Sequence, residues 1–371
     1  MNEEVRKRLM ECGYDYGFEC PALGSDEPYP DYIRQNVEEC IDRIRGHQNG
    51  DSITFAFMTD IHYLPLPHHD VLLERNINAY RNICKKVRCD KLILGGDYII
   101  DSPKKDKLSG YRKLSDYLME FGYFPVNGNH DSGLLWDIFM GYDKPVNMLS
   151  KEEIYDAFYH HLPQAGAVFD EAHQGLYYYV DDDDRKVRYI MLDICDLPEQ
   201  YENTLSRTLA FSQKQLDWLA NVALVTQYDI ILVSHSVLRP SRAGNVDTVK
   251  QKSAYLGVIL PLLDAYKNGE RFEKRFFEGE FALRIEVDYS NIERGNILGV
   301  FVGHYHDDYL EYTESGVPVI FTANFFMAEC HVPRRTGDKK ELLFDIVTID
   351  RKSRTIHMTR VGAGEDRVAV Y

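Results

Sequence analysis

Five short apolar runs in this chain each end on side chains that can ligate a metal ion. ITFAFMTDIH delivers Asp60 and His62, LILGGD delivers Asp97, and YFPVNGNHD delivers Asn129, His130 and Asp131. IILVSH delivers His235, and NILGVFVGHYH delivers His304 and His306. Uninterrupted apolar runs of this kind read as strands buried on both faces. In an open α/β sheet, ligands bind in the crevice beyond the carboxyl ends of the strands. A lone histidine at such an end is more often a hydrogen-bonded core residue than a ligand. Five coinciding ends in one chain instead demand a fold that gathers them.

Helical periodicity fills the spaces between these runs. Ile33, Val37, Cys40, Ile41 and Ile44 recur at helical spacing, so about 31–46 reads as an amphipathic helix. HQNGDS at 47–52 breaks it. Residues 1–50 therefore read as an N-terminal helical appendage, and 51–371 as the main domain. Further helices are predicted over 68–87, 108–121 and 212–224, the last with a capping box of Ser212 and Gln215. After residue 308 the pattern turns to hairpins, at 310–312, 317–321, 342–349 and 355–361. The DDDD run at 181–184 lies between two β-rich stretches and reads as a solvated hairpin turn. Mixed elements of this kind imply α/β or α+β layers, with helices outside and sheets inside.

Composition excludes some partners. The chain has 371 residues, 43 basic and 59 acidic, for a formal net charge of −16. That balance disfavours a nucleic-acid backbone as partner, which needs a basic face. No apolar run reaches the roughly 18 residues of a membrane span, so no membrane association is expected. The first residues hold no apolar signal-peptide core. Seven scattered cysteines without a C-x-x-C fit reduced thiols in a cytoplasmic protein better than a disulfide framework.

The donor types suit one another. Asp, His and Asn bind Mn, Fe or Zn, and the lack of thiolates argues against a structural zinc site. Asp60 and His62 are two apart, as are His304 and His306, and residues i and i+2 of an extended chain face one side. Gly96, Gly128 and Gly303 precede Asp97, Asn129 and His304, where tight turns and close backbone approach are needed.

The ordered set D-x-H at 60–62, G-D at 96–97, G-N-H-D at 128–131, a lone His235 and G-H-x-H at 303–306 resembles the signature of the calcineurin-like metallophosphoesterases. The likeness spans about residues 53–322, and FSQKQLDWLANVAL at 211–224 resembles a Gln-Leu-x-Trp-Leu helix many members carry. The resemblance implies a four-layer αββα sandwich of two mixed β-sheets and a hydrolase with two metal ions. By motif, Asp60, His62 and His306 would bind one ion, Asn129, His235 and His304 the other, and Asp97 would bridge them. His130 would lie near the substrate. Two such ions would clamp a phosphoryl group and activate a bridging hydroxide as nucleophile. The implied substrate is a small phosphomonoester or phosphodiester, nucleotides among the candidates; a nuclease or a catalytically silent scaffold are the alternatives.

The sequence departs from the family pattern in two places. Many members read G-D-x-x-D, but here GGDYIID puts the second acid, Asp101, one residue late. Either Asp101 or Asp131 is then left to orient His130. GNHD in place of GNHE, with no Asp-Arg-Gly after the G-D motif, points away from the Ser/Thr protein phosphatase branch.

Some residues near the motifs could touch substrate. Arg239 and Arg242 follow His235 and could bind an anionic group, or sit in a solvated loop. Tyr63 and Tyr305 lie inside metal motifs and could line the pocket. His68 and His69, after Pro65 and Pro67, read as surface residues. The stretch 133–174, with Trp136, Phe139 and Tyr142, reads as a cap over the site.

Overall fold

A computed structural model describes residues 27–64, 67–170, 175–197, 209–237, 239–240, 256–278, 281–326 and 330–371. The strand β1 (Ile53–Met58) is buried at all six positions, as its unbroken apolar run requires. It pairs in parallel with β2 (Lys91–Leu94), which pairs in parallel with β3 (Tyr123–Pro125). Its other side pairs antiparallel with β13 (Leu343–Asp350), which continues through β14 (Thr355–Gly362) to β15 (Arg367–Val370). The first sheet thus runs β15-β14-β13-β1-β2-β3.

The second sheet runs β11-β12-β10-β7-β6-β5-β4. Its members are β4 (Ala167–Phe169), β5 (Tyr178–Asp182), β6 (Val187–Met191), β7 (Asp229–Ser234), β10 (Ile297–Val302), β11 (Tyr309–Tyr312) and β12 (Pro318–Phe321). Its central strands β6, β7, β10 and β12 are parallel. A separate two-stranded ribbon joins β8 (Arg271–Glu278) to β9 (Phe281–Asp288).

The two sheets face each other across one core. Phe55 of β1 meets Phe301 of β10 edge-on at 5.1 Å and Tyr189 of β6 at 6.1 Å between ring centroids. At one end, the Tyr178 hydroxyl of β5 donates to the Pro125 carbonyl of β3. Helices cover the outer faces. On the first sheet, α1 (Asp31–His47) lays Ile33, Val37, Cys40, Ile41 and Ile44 beside α2 (Pro67–Cys84) and against β14. The helix α3 (Lys104–Leu118) adds Tyr111, Leu114 and Leu118. On the second sheet a separate cluster gathers α6 (Gln213–Trp218), α7 (Ile259–Asn268) and the β8–β9 ribbon. Between β3 and β4 run α4 (Leu134–Phe139) and α5 (Lys151–Ile154). The architecture is the expected four-layer αββα sandwich of two mixed sheets.

Several elements differ from expectation. Residues 1–26 of the expected appendage lie outside the described residues. Its helix α1 is fastened to the first sheet: Asn36 Oδ1 accepts from the Gly362 amide and Arg43 donates to the Arg360 carbonyl. The predicted helix over 212–224 is α6 followed by a wider π-type turn at Leu219–Ala223. Its capping box is half made. Ser212 Oγ accepts from the Gln215 amide, but the Gln215 side chain bonds the Asp193 backbone instead of returning to the cap. The DDDD run is only in part a turn: Asp181 and Asp182 belong to β5, and Asp181 clasps Arg188 through two 2.7 Å bonds. Among the described residues no helix is long and apolar enough to cross a membrane.

Candidate metal centre

Because β1, β2 and β3 are mutually parallel, and β7 and β10 are too, their carboxyl ends open onto one edge of the sandwich. The first sheet supplies Asp60, His62, Asp97, Asn129 and His130; the second supplies His235, His304 and His306. The pairing of β1 with β2 continues into their loops. Asp60 N donates to Gly96 O at 2.9 Å, His62 N to Asp97 O at 3.0 Å and Tyr63 N to Tyr98 O at 2.8 Å.

The backbone there is not extended, contrary to the i, i+2 expectation. Asp60, His62, Asp97, His304 and His306 all have positive φ, between 45° and 69°. Left-handed conformations cost non-glycine residues roughly 1–3 kcal/mol each, and they concentrate where function requires them. Two glycines permit the crowding. Gly96 has φ 95° and lies against the His235 ring, and a Cβ at Gly128 would fall on the Asp97 carboxylate.

The side chains converge. His306 Nε2 lies 3.1 Å from Asp60 Oδ1 and 3.3 Å from His62 Nε2. His235 Nε2 lies 3.0 Å from Asp97 Oδ2 and 3.2 Å from Asn129 Oδ1, while its Nδ1 is anchored on the Gly95 carbonyl. His62 Nε2 and His130 Nε2 reach within 3.9 and 3.8 Å of Asp97 Oδ2. Three triads, Asp60/His62/His306, His62/Asp97/His130 and Asp97/His235/His304, each place their ligating atoms within 4.8 Å of one another. Asp97 belongs to two of them.

The donor set fits cations. One proton shared between two imidazole nitrogens 3.3 Å apart leaves the carboxylate oxygen beside them unserved, whereas a cation serves all three. Oxygen and nitrogen donors without thiolate match Mn, Fe or Zn. The acids and imidazoles also bias one another's charge. Burial pushes the Asp60 and Asp97 carboxyls up, but His235 and the neighbouring imidazoles overcome it and hold both well below the usual range. Burial opposes a charge on His235, yet Asp97 and Asp60 raise it to about 9. Burial and the His235 charge push His304 down to about 3.

The acid beside His130 is Asp101. Its Oδ2 lies 2.7 Å from His130 Nδ1, so the one-residue-late acid still reaches the ring. Burial disfavours the imidazolium, but Asp101 and Asp97 raise His130 to about 9. Asp131 is engaged by backbone amides. Its two oxygens accept from the amides of Asp97, Tyr98 and Gly128 at 2.7–2.9 Å, so it braces the loops, and of the two acids expected to orient His130 it is Asp101 that meets the ring.

The expected substrate contacts are differently engaged. Arg239 donates from both Nε and Nη2 to Glu311 and stacks 3.6 Å over the Tyr309 ring, which spends its fork within the protein. Arg242 lies outside the described residues. The Tyr63 hydroxyl donates to Asp70 of α2 at 2.6 Å, and its buried ring lines a small cavity with His69, Phe325 and Phe326. Tyr305 donates to the Val237 carbonyl, with its ring edge-on to His304 at 5.4 Å. His69 is buried, not on the surface: its Nδ1 accepts from the Leu64 amide and its ring packs 4.7 Å from Phe326.

Two supports escaped the sequence reading. Phe325 N and Phe326 N donate to the Thr59 and Asp60 carbonyls, forming a wall, and Arg334 gathers the carbonyls of Asn324, Phe325, Phe326, Lys340 and Glu341 behind it. An arginine in an irregular stretch carries no sequence signal of that task. Lys107 is the other, and its position does carry one, since it extends the buried stripe Tyr111, Leu114, Leu118 back by one turn of α3.

Comparison with known proteins agrees with this geometry. Among solved structures, a dimetal phosphatase from Danio rerio superposes with a TM-score of 0.53 at 14% identity, covering 86% of this chain and 99% of that one. A 5′-nucleotidase precursor from Thermus thermophilus gives 0.39 at 12% identity, over 86% and 54% of the two chains. The NAD nucleotidase of Haemophilus influenzae gives 0.39 at 14%, over 84% and 50%. A search of curated proteins returns no match. The model of the calcineurin-like phosphoesterase family matches residues 53–308, the stretch that runs from β1 past the last of the converging histidines, and the chain belongs to that family of metal-dependent phosphoester hydrolases.

Proposed function

We propose that this chain hydrolyses a small phosphorylated molecule, a phosphomonoester or phosphodiester, with nucleotides among the candidates. Asp60, His62 and His306 would hold one metal ion, Asn129, His235 and His304 would hold a second, and Asp97 would serve both. The observation that carries this reading is the place of Asp97. Its Oδ2 is 3.0 Å from His235 on one side and 3.9 Å from His62 on the other.

Ions bound by these residues would supply Lewis acidity and a water more acidic than bulk water. The chain's own residues do the rest. Thr59 Oγ1 donates to Asp60 Oδ2 at 2.6 Å and the His304 amide donates to the same oxygen, so Asp60 is held in one orientation. Asp101 fixes the His130 ring through Nδ1, which leaves Nε2 on the side of Asp97. From there His130 gives a proton to the leaving oxygen or faces the phosphoryl oxygens as a cation, worth about 10²-fold or more in rate. Seven scattered cysteines with no C-x-x-C among them support a reducing compartment such as the cytoplasm.

The test is hydrolysis of p-nitrophenyl phosphate and bis-p-nitrophenyl phosphate with Mn²⁺ and with chelator. Turnover should require metal and should fall in Asp97→Asn beyond the roughly 10–100-fold typical of outer-shell partners. Turnover indifferent to chelator would reject the reading. The ratio of the two rates assigns monoester or diester.

A further inference from the structure

Lys107 is a lysine on the core face of a helix. It shares the buried stripe of α3 with Tyr111, Leu114 and Leu118, and its side chain is 0% exposed. A buried ammonium must find acceptors for three N–H groups. Lys107 Nζ finds three backbone carbonyls: Ile99 at 3.2 Å, Ile100 at 3.4 Å and His130. The first two belong to the loop after β2, immediately before Asp101. The third is the carbonyl of the histidine that Asp101 anchors in the loop after β3. Strand pairing does not join the loops there, since the β2–β3 ladder ends at Leu94 and Pro125; Asp131 and the His130 amide join them at Asp97 and Tyr98, and Lys107 joins them farther on, beside Asp101. Burial pushes the Lys107 ammonium below its usual range, and the charges of Asp101, Asp131 and Asp97 counter only part of that cost.

We infer that Lys107 is a positioning residue for the proposed hydrolysis, an ammonium clip that holds the Asp101 loop and the His130 loop in register so that the His130 ring keeps its orientation toward the phosphoryl site. The inference rests on the reading of His130 given above. Lys107 Nζ donates to the backbone on either side of the Asp101–His130 contact, so it acts through that pair. Without its donors, three carbonyls in a water-poor place lose their partner; the bonds of Asp131 still hold the loops at Asp97 and Tyr98, but the Ile99–Asp101 stretch loosens from His130 and the 2.7 Å contact between Asp101 and His130 opens. Misplacing a reacting group by about 1 Å costs about 10²-fold in rate.

The experiment is a cycle of Lys107→Met, His130→Ala and the double variant, assayed with p-nitrophenyl phosphate as metal-loaded enzyme. Leu114→Ala serves as a control that loosens the same helix without touching either loop. Lys107→Met should lower kcat roughly 10–100-fold with KM and bound-metal content little changed. It should cost nothing further in the His130→Ala background, because residues acting as a unit are not additive. Lys107→Gln, which keeps two donors, should fall between wild type and Lys107→Met. Leu114→Ala should lower Tm and leave kcat alone. Equal losses from Lys107→Met with and without His130, an unchanged kcat, or a kcat loss in Leu114→Ala of the same size would overturn the inference. So would failure of both Lys107 variants to fold, which would make Lys107 a folding residue alone. A wild-type enzyme without phosphoester turnover would sink the functional reading itself. Active wild type with a weakened His130→Ala and a normal Lys107→Met would sink only this inference.

Discussion

Asp101 and Asp131 are two buried aspartates in adjoining loops, and their partners separate their tasks. Asp131 collects three backbone amides, so Asp131→Ala leaves buried donors unmatched and should cost about 3 kcal/mol of stability. Asp101→Asn leaves those amides served, and should lower kcat while unfolding by denaturant shifts little. Chemical denaturation alongside steady-state kinetics separates the two. Gly128→Ala should go further, because its Cβ would displace the Asp97 carboxylate, so metal affinity by titration calorimetry should drop at least about 10-fold. At this scale the identities of the converging residues were legible, because each follows an apolar run. Their left-handed backbone was not, since Asp60, His62, Asp97, His304 and His306 owe it to loop pairing and to crowding from the opposite sheet. Nor could spacing reveal that Arg239 turns to Glu311, a partner 72 residues away.

At the level of elements, the last three strands of the first sheet brace the loop that carries His306. Arg360 of β14 joins Asp345 of β13 to Asp308, and Arg367 of β15 joins the same two acids. Burial opposes ionisation of Asp345, yet Arg360 and Arg367 hold its carboxyl below the usual range. A depressed carboxyl stabilises the fold above its unfolded pKa of about 3.9 and loses that contribution as pH falls below it. Acid denaturation should therefore be less steep below about pH 4 in Asp345→Asn than in wild type. At neutral pH that variant should lose roughly 3–5 kcal/mol, since it leaves buried arginines uncompensated. The core strands were readable from their apolar runs. The ribbon β8–β9 was not, because RFEKRFFE and FALRIEVD mix charges with apolar residues and bury only one face, through Phe272, Leu283 and Ile285. The half-made cap of α6 was also hidden, since Gln215 is drawn off by Asp193, which only the fold brings near.

For the molecule as a whole, the candidate ligands are divided between two sheets that otherwise meet through an apolar core. Bound ions would staple one sheet to the other at their common edge. Ligand binding to the native state adds about 2.7 kcal/mol at a concentration 100 times Kd. Chelator should then lower Tm by several degrees, and readdition of Mn²⁺ should restore it in wild type but not in Asp97→Asn, as read by calorimetry. The net charge of −16 makes a buried cation site all the more dependent on its own donors, because bulk acidity attracts cations without ordering them. The central claim is that five strand ends form one centre for two ions with Asp97 between them. Elemental analysis of dialysed protein tests it most directly. The account predicts two transition-metal ions per chain in wild type and fewer than two in Asp97→Asn; wild type with no bound ion, or a variant that keeps both, would contradict it.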